Sequence, residues 1–301
     1  MIARLPRHSY SFPMRNVKFQ IRCWGEELGN YNWLAHRGFH GHLAAEKNAG
    51  AHWVKHLLGV VLAEHYGLEP PDYFNPDGAN AFIANPRVQR NIRGLPRLMS
   101  SSGIPGFGFD GGPLRPGAYP PVVVLVRDLR QVLIAHYERW KNRYGISWSQ
   151  YLRLPIDQDK ARCDLWWHIH FLNRWGDCAK RLPHEITSFH YEDLRANTAA
   201  NVECILRHFD LQVPGATVRR VIDNLPLHIR EQRTDPDAPE RIMGQQEGQF
   251  ETYFSGADGD YFRKVVARNL RHTFGYNYET EAISTRPKST MRNRVAKNPI
   301  M

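Results

Sequence analysis

A chain of 301 residues that is 42% hydrophobic and 12% aromatic carries enough apolar side chain for a full core, which excludes a disordered or fibrous protein. Its net charge of +10 suits a polyanionic ligand, a nucleic acid or an anionic membrane surface, and does not choose among them. No apolar run approaches the roughly 18 residues needed to span a bilayer, no signal-peptide core opens the chain, and the four cysteines lack the spacing of a zinc site or disulfide framework. A cytoplasmic protein with reduced thiols and no metal is expected.

Residues 1–39 form a basic, aromatic arm broken by Pro6 and Pro13, with a strand indicated over Val17 to Cys23; this arm either packs across the domain or meets an acceptor. His42 to Ala45 reads as a short strand. Glu46-Lys47-Asn48-Ala49-Gly50 follows, then a helix in which Val54, Leu57, Leu58, Val61 and Leu62 recur at helical spacing and Gly67 ends the run. Glu69 to Pro120 is rich in Pro, Gly and Asn and reads as one long functional loop. Val122 to Val126 is an unbroken, mostly β-branched run, the pattern of a strand buried on both faces of a parallel sheet. Arg127, Asp128, Leu129 and Arg130 form a short basic turn, and a helical pattern follows in which Val132 and Leu133 recur one turn later as His136 and Tyr137.

Helical character then covers Trp148 to Leu182, where His168 and His170, two apart, face different sides and read as structural. A strand over Ile186 to Tyr191, a helix over Thr198 to Phe209 and a last helix from Asp258 to Phe274 complete the pattern, and the basic tail reads as disordered. Alternating strands and helices predict an α/β fold, a parallel sheet flanked by helices, in one domain over 40–278 with a tail over 279–301.

Two places carry chemistry. In open α/β sheets ligands bind beyond the carboxyl ends of the strands, where helix N-termini favour anions, and Arg127 and Arg130 stand at such an end. Arg127 either meets a phosphate there or snorkels from a core strand. Lys47 through Trp53 follows a strand and opens a helix, with Gly50 allowing close backbone approach; this is a recipe for cradling a terminal phosphate, and also that of an ordinary helix start. GxxxxGK[ST] is absent, so it is no Walker A loop.

Taken in order, the Lys/Gly loop ending in Trp53, VVVLVRDLRQVLIAHY, FHYEDLRAN and a Gly-containing loop before Phe254 resemble the sulfotransferases that use 3′-phosphoadenosine 5′-phosphosulfate (PAPS). The resemblance implies a P-loop-like α/β fold and sulfuryl transfer from PAPS to a hydroxyl or amine of a small-molecule or carbohydrate acceptor, without a metal or nucleic acid. It implies that Lys47, Asn48, Ala49, Gly50, Ala51, His52 and Trp53 grip the 5′-phosphosulfate end, with Lys47 also catalytic. Arg127 and Arg241 would then hold the 3′-phosphate, and Tyr191 would lie near the adenine. Ala135 stands where the family has a serine donor to the 3′-phosphate.

The family's Thr-His pair, which supplies the general base, has Ser100-Ser101-Ser102-Gly103 in its place. His56, one turn into the helix that His52 opens, is the candidate base; the His36, His40 and His42 cluster is structural or faces the acceptor. The alternative is a non-catalytic relative that binds nucleotide or another polyanion.

Overall fold

The computed structural model describes residues 16–30, 38–73, 76–84, 92–105, 120–225 and 252–280, with backbone alone at 24–30 and 76–77. The expectations for Arg241, for His36 and for the basic tail beyond residue 280 lie outside the described residues, as do parts of the stretch from Glu69 to Pro120. In chain order the elements are α1 Val17–Asn30, β1 Gly41–Ala45, α2 Ala51–Tyr66, α3 Pro76–Phe82, β2 Ile83–Ala84, β3 Leu98–Ser101, β4 Val122–Val126 and α4 Leu129–Tyr144. They continue with α5 Trp148–Leu152, α6 Leu165–Arg181, β5 Ile186–His190, α7 Tyr191–Ala196, α8 Thr198–His208, α9 Gly215–Asp223 and α10 Gly256–Asn269.

The strands form one five-stranded sheet of order β2-β3-β1-β4-β5, all pairings parallel. β4 lies inside the sheet, between β1 and β5, and its whole surface is apolar: every residue from Val122 to Val126 is 1% exposed or less. Its alternate residues divide the core. Val123 and Leu125 pack with Leu43, Val54, Leu58 and Ile205 on the face of α2 and α8, whereas Val122, Val124 and Val126 meet Leu133, Trp167 and Phe262 on the face of α4, α6 and α10. Parallel pairing brings the carboxyl ends of β1, β4 and β5 to one edge.

Four expectations change. Val17–Asn30 is a helix, not a strand: Asn16 Oδ1 accepts from the Phe19 N–H at 3.0 Å, and Phe19 and Cys23, four apart, are buried while Val17 and Ile21 are exposed. The long loop after Glu69 holds α3, β2 and β3, and β3 pairs with β1. Tyr191 starts a helix rather than ending a strand, and the last helix stops at Asn269.

Beyond α10, residues 270–280 fold back over the start of α4. Asp128 caps that helix by accepting from the Arg130 N–H, and its carboxylate takes two further bonds from the Arg130 guanidinium at 3.0 and 2.7 Å. Arg130 also donates to the carbonyls of Asn277 and Thr280, and Tyr278 Oη accepts from the Leu129 N–H. At 2% exposure Arg130 is therefore a structural clasp, which corrects its reading as a cation at the ligand edge.

Candidate functional site

The loop between β1 and α2 turns through two left-handed residues, Asn48 at φ 66° and Gly50 at φ 94°. Asparagine tolerates that region and glycine adopts it without strain, so both sequence choices serve the turn. Gly50 is also the residue preceding α2, and no side chain caps that helix, whose N-terminus carries its positive partial charge into the loop. Ala49 is fully buried beneath the loop.

Arg127, the first residue after β4, reaches across this loop. Its Nη1 donates to the Asn48 carbonyl at 3.3 Å, its Nε donates to Gln131 Oε1 at 3.0 Å, and its guanidinium lies 4.4 Å from the centroid of the Tyr191 ring. Tyr191, the first residue after β5, meets Trp53 edge to face at 6.0 Å. Neighbouring strand ends thus deliver Lys47, Asn48, Trp53, Arg127 and Tyr191 to one place. The Lys47 ammonium lies 5.3 Å from the Trp167 ring centroid, so the amino-terminal half of α6 borders the same edge.

Sequence reasoning missed the side chains that brace this loop from below. Glu46 is fully buried, and its Oε1 shares a 2.7 Å hydrogen bond with Nδ1 of the fully buried His168. On the other side of Lys47, Asn48 Nδ2 lies 2.9 Å from Nδ1 of His136, whose Nε2 is 2.8 Å from the Tyr144 hydroxyl. Burial holds both rings neutral, His168 and His136 each being lowered to about 3, with the Lys47 charge acting in the same direction on both. Burial also pushes Glu46 well above the usual carboxylate range; Asp128 and Glu192 reinforce that and Arg127 opposes it. Glu192 is raised by burial too, while accepting a 2.5 Å bond from Tyr276. With Asp128 already paired to Arg130, the edge presents Lys47 and Arg127 with little competing negative charge.

His52 and His56 lie elsewhere along α2. His52 Nε2 is 3.0 Å from the Tyr73 carbonyl, and His56 is buried edge-on against the Tyr73 ring at 5.0 Å, with neither ring nitrogen hydrogen-bonded among the described residues. Burial, then the nearby His52, lower His56 to about 4. At the end of β3 the Gly103 carbonyl accepts from Trp175 Nε1, and His42 is buried with Nε2 3.0 Å from Ser101 Oγ. Ala135 is buried within α4.

A cation-bearing loop, an uncapped helix start and a strand-end arginine against an aromatic ring form a site for an aromatic-ringed polyanion. No curated protein sequence matches the chain. Among solved structures, the fold is similar to that of a retinol dehydratase in complex with androsterone and the inactive cofactor PAP, with a TM-score of 0.51 and 12% identity over 83% of this chain and 86% of that one. A mouse sulfotransferase, SULT7A1, complexed with PAP aligns at a TM-score of 0.43 and 11% identity over 84% and 90% of the two chains. At such identity the first likeness establishes the fold. The sulfotransferase domain family matches residues 120–271, from the start of β4 through α10, which includes Arg127 and Tyr191 and leaves the Lys47 loop to be assigned by its geometry. Half of the chain is thereby matched, across the elements that build one side of the site, and the protein belongs to the sulfotransferase family.

Proposed function

We propose that the chain transfers the sulfuryl group of PAPS to a hydroxyl or amine of a small-molecule acceptor, in the cytoplasm. The observation that carries this reading is the convergence of Lys47, Arg127 and Tyr191 on the ends of three adjacent parallel strands. The residues fit the nucleotide: an uncapped helix start and Lys47 suit its 5′ end, Arg127 its 3′-phosphate, and the Trp53 and Tyr191 rings its adenine. When bound, PAPS supplies an activated sulfuryl group whose departure leaves negative charge on the 5′-phosphate. Lys47 stabilises that charge together with the α2 dipole, in a site where Glu46 and Glu192 are kept from opposing it. Arg241, as a second cation for the 3′-phosphate, is part of the proposal.

The proton acceptor is the open role. His56 is the candidate from sequence, yet an imidazole lowered to about 4 is a weak base near neutrality, and an acceptor acidic enough to need none is the competing reading. His56→Ala separates them: a loss of about 10²-fold in turnover with unchanged nucleotide affinity assigns the base. No described helix is long and apolar enough to cross a membrane. The experiment for the function as a whole is release of adenosine 3′,5′-bisphosphate from PAPS against a panel containing a sterol alcohol, a phenol and an amino-sugar disaccharide. Gly103, in place of a family histidine, favours one second reading, a nucleotide-binding relative without catalysis. That reading expects tight binding of the bisphosphate and no turnover.

A further inference from the structure

His168 and Glu46 each leave one buried polar atom, Nε2 and Oε2, without a hydrogen-bond partner among the described residues. A buried orphan of this kind costs about 1–3 kcal/mol, so native proteins rarely keep one unless something else completes it. His168 is 0% exposed, one residue along α6 from the Trp167 ring that the Lys47 ammonium faces, and its other nitrogen is tied to the residue preceding Lys47. An imidazole so placed offers either a lone pair or an N–H at Nε2, depending on what Nδ1 does.

We propose that Glu46 donates its proton to His168 Nδ1, which fixes the Nε2–H tautomer, and that this N–H is a built hydrogen-bond donor for an oxygen at the 5′ end of the bound nucleotide. Three observations converge on it. The bond between Oε1 and Nδ1 is short, at 2.7 Å, and fully buried. The groups facing the pair favour a protonated glutamate beside a neutral ring: around Glu46 stand Asp128 and Glu192 against Arg127 alone, and around His168 stand Lys47 and the neutral His136, with Asp164 opposing. His136 repeats the arrangement, its Nδ1 meeting the Asn48 amide and its Nε2 reaching the Tyr144 hydroxyl, so both residues flanking Lys47 bond to the Nδ1 atom of a buried ring. For His136 the second bond is made inside the protein; for His168 the ligand makes it. The inference deepens the sulfotransferase reading and rests on it. It gives His168 a role in binding and in stabilising charge at the phosphosulfate, and Glu46 a positioning role through it.

The test uses two ligands and three variants of the full chain. Adenosine 3′,5′-bisphosphate carries a 5′-phosphate, and adenosine 3′-monophosphate does not. By calorimetry, His168→Asn is expected to weaken the bisphosphate about 10- to 100-fold and to leave the monophosphate unchanged, the loss of one hydrogen bond to a charged group. His168→Gln, whose amide reaches toward the Nε2 position, restores a large part of that loss. Glu46→Gln, whose amide N–H also donates to Nδ1, keeps the affinity, whereas a role for Glu46 as a carboxylate requires it to fall. In the wild type, affinity for the bisphosphate drops on the alkaline side as Glu46 loses its proton and Nε2 becomes an acceptor, and Glu46→Gln removes that limb. ¹⁵N spectra of the unliganded protein at pH 7 should show His168 protonated at Nε2. Protonation at Nδ1 alone, or equal bisphosphate affinity for wild type and His168→Asn, overturns the inference while leaving the sulfotransferase reading intact. A wild type that binds no bisphosphate overturns both.

Discussion

Removing Arg130 isolates the most deeply buried charge at the site's edge. Asp128 and Arg130 are 1% and 2% exposed, and the guanidinium also holds the carbonyls of Asn277 and Thr280, binding the 270–280 segment to the turn from which Arg127 projects. Arg130→Met keeps the apolar stem and leaves the Asp128 carboxylate buried without its cation, a change that typically costs about 3–5 kcal/mol. In a domain of this size that corresponds to a melting temperature lower by roughly 6–20 °C. Urea denaturation followed by tryptophan fluorescence measures the difference, with an unchanged m-value showing that the folded state keeps its extent. The double variant Asp128→Ser, Arg130→Met removes the stranded charge and keeps an oxygen to cap α4, so it should recover to within about 1–2 kcal/mol of wild type. A single variant within about 1 kcal/mol of wild type, or a double variant no better than the single, would refute the clasp.

Gly176, in the middle of α6, should resist substitution: a Cβ there would stand 2.2 Å from His272 Cγ and 2.5 Å from its Cβ, so Gly176→Ala lowers stability by about 1–3 kcal/mol, although alanine is the better helix former by about 1 kcal/mol. A stabilised variant in the same urea assay would show that the two segments are not packed together. Stability should also fall with acid. His168 binds its proton only near pH 3 when folded but at its ordinary 6.5 when unfolded, so its contribution is complete above 6.5 and is lost as pH drops toward 3. Between pH 6 and 4, His168→Gln should flatten the slope by about 1.4 kcal/mol per pH unit, and an unchanged slope contradicts a buried neutral ring. Lys47→Ala should abolish sulfuryl transfer and leave the fold intact, because the side chain stands half-buried at the carboxyl edge of the sheet rather than in the core; full turnover makes Lys47 a structural lysine.

Much of the architecture is legible in the sequence because it is written in local periodicity. The β-branched run of β4, the helical spacing from Val54 to Leu62 and the αL glycine at 67 announce their elements without reference to the rest of the chain. The same reasoning misreads α1, where Val17, Phe19, Ile21 and Cys23 alternate as in a strand while only Phe19 and Cys23, a helical turn apart, are buried. β3 escapes notice because Leu98 to Ser101 is short, half hydroxyl-bearing and preceded by Pro96; pairing with β1, not its own pattern, makes it a strand.

The site divides along the same line. Lys47, Gly50, Arg127 and Tyr191 sit at strand ends, and strand ends can be found from the runs that precede them. Glu46 and His168 are 122 residues apart, and nothing in either neighbourhood marks them as partners. The oddity that could have raised the question is an acidic residue directly before the loop lysine, immediately after a strand free of acidic and basic side chains other than His42. Arg130 reads as a ligand cation from its position and becomes a clasp only when residues 277–280 return to it.

The central claim is that this edge recognises a nucleotide by its 3′-phosphate, and calorimetric titration with adenosine 3′,5′-bisphosphate and with AMP tests it most directly. On the proposed reading Arg127, held against the Asn48 carbonyl and the Tyr191 ring, would add charge-assisted bonds of about 1.5–3 kcal/mol to the 3′-phosphate, so the bisphosphate should bind about 10- to 150-fold tighter than AMP. Arg127→Ala should cut that preference by about 10-fold or more, with Arg241 supplying what is left. Equal affinity of the wild type for the two nucleotides, or a preference unchanged in Arg127→Ala, would contradict the account.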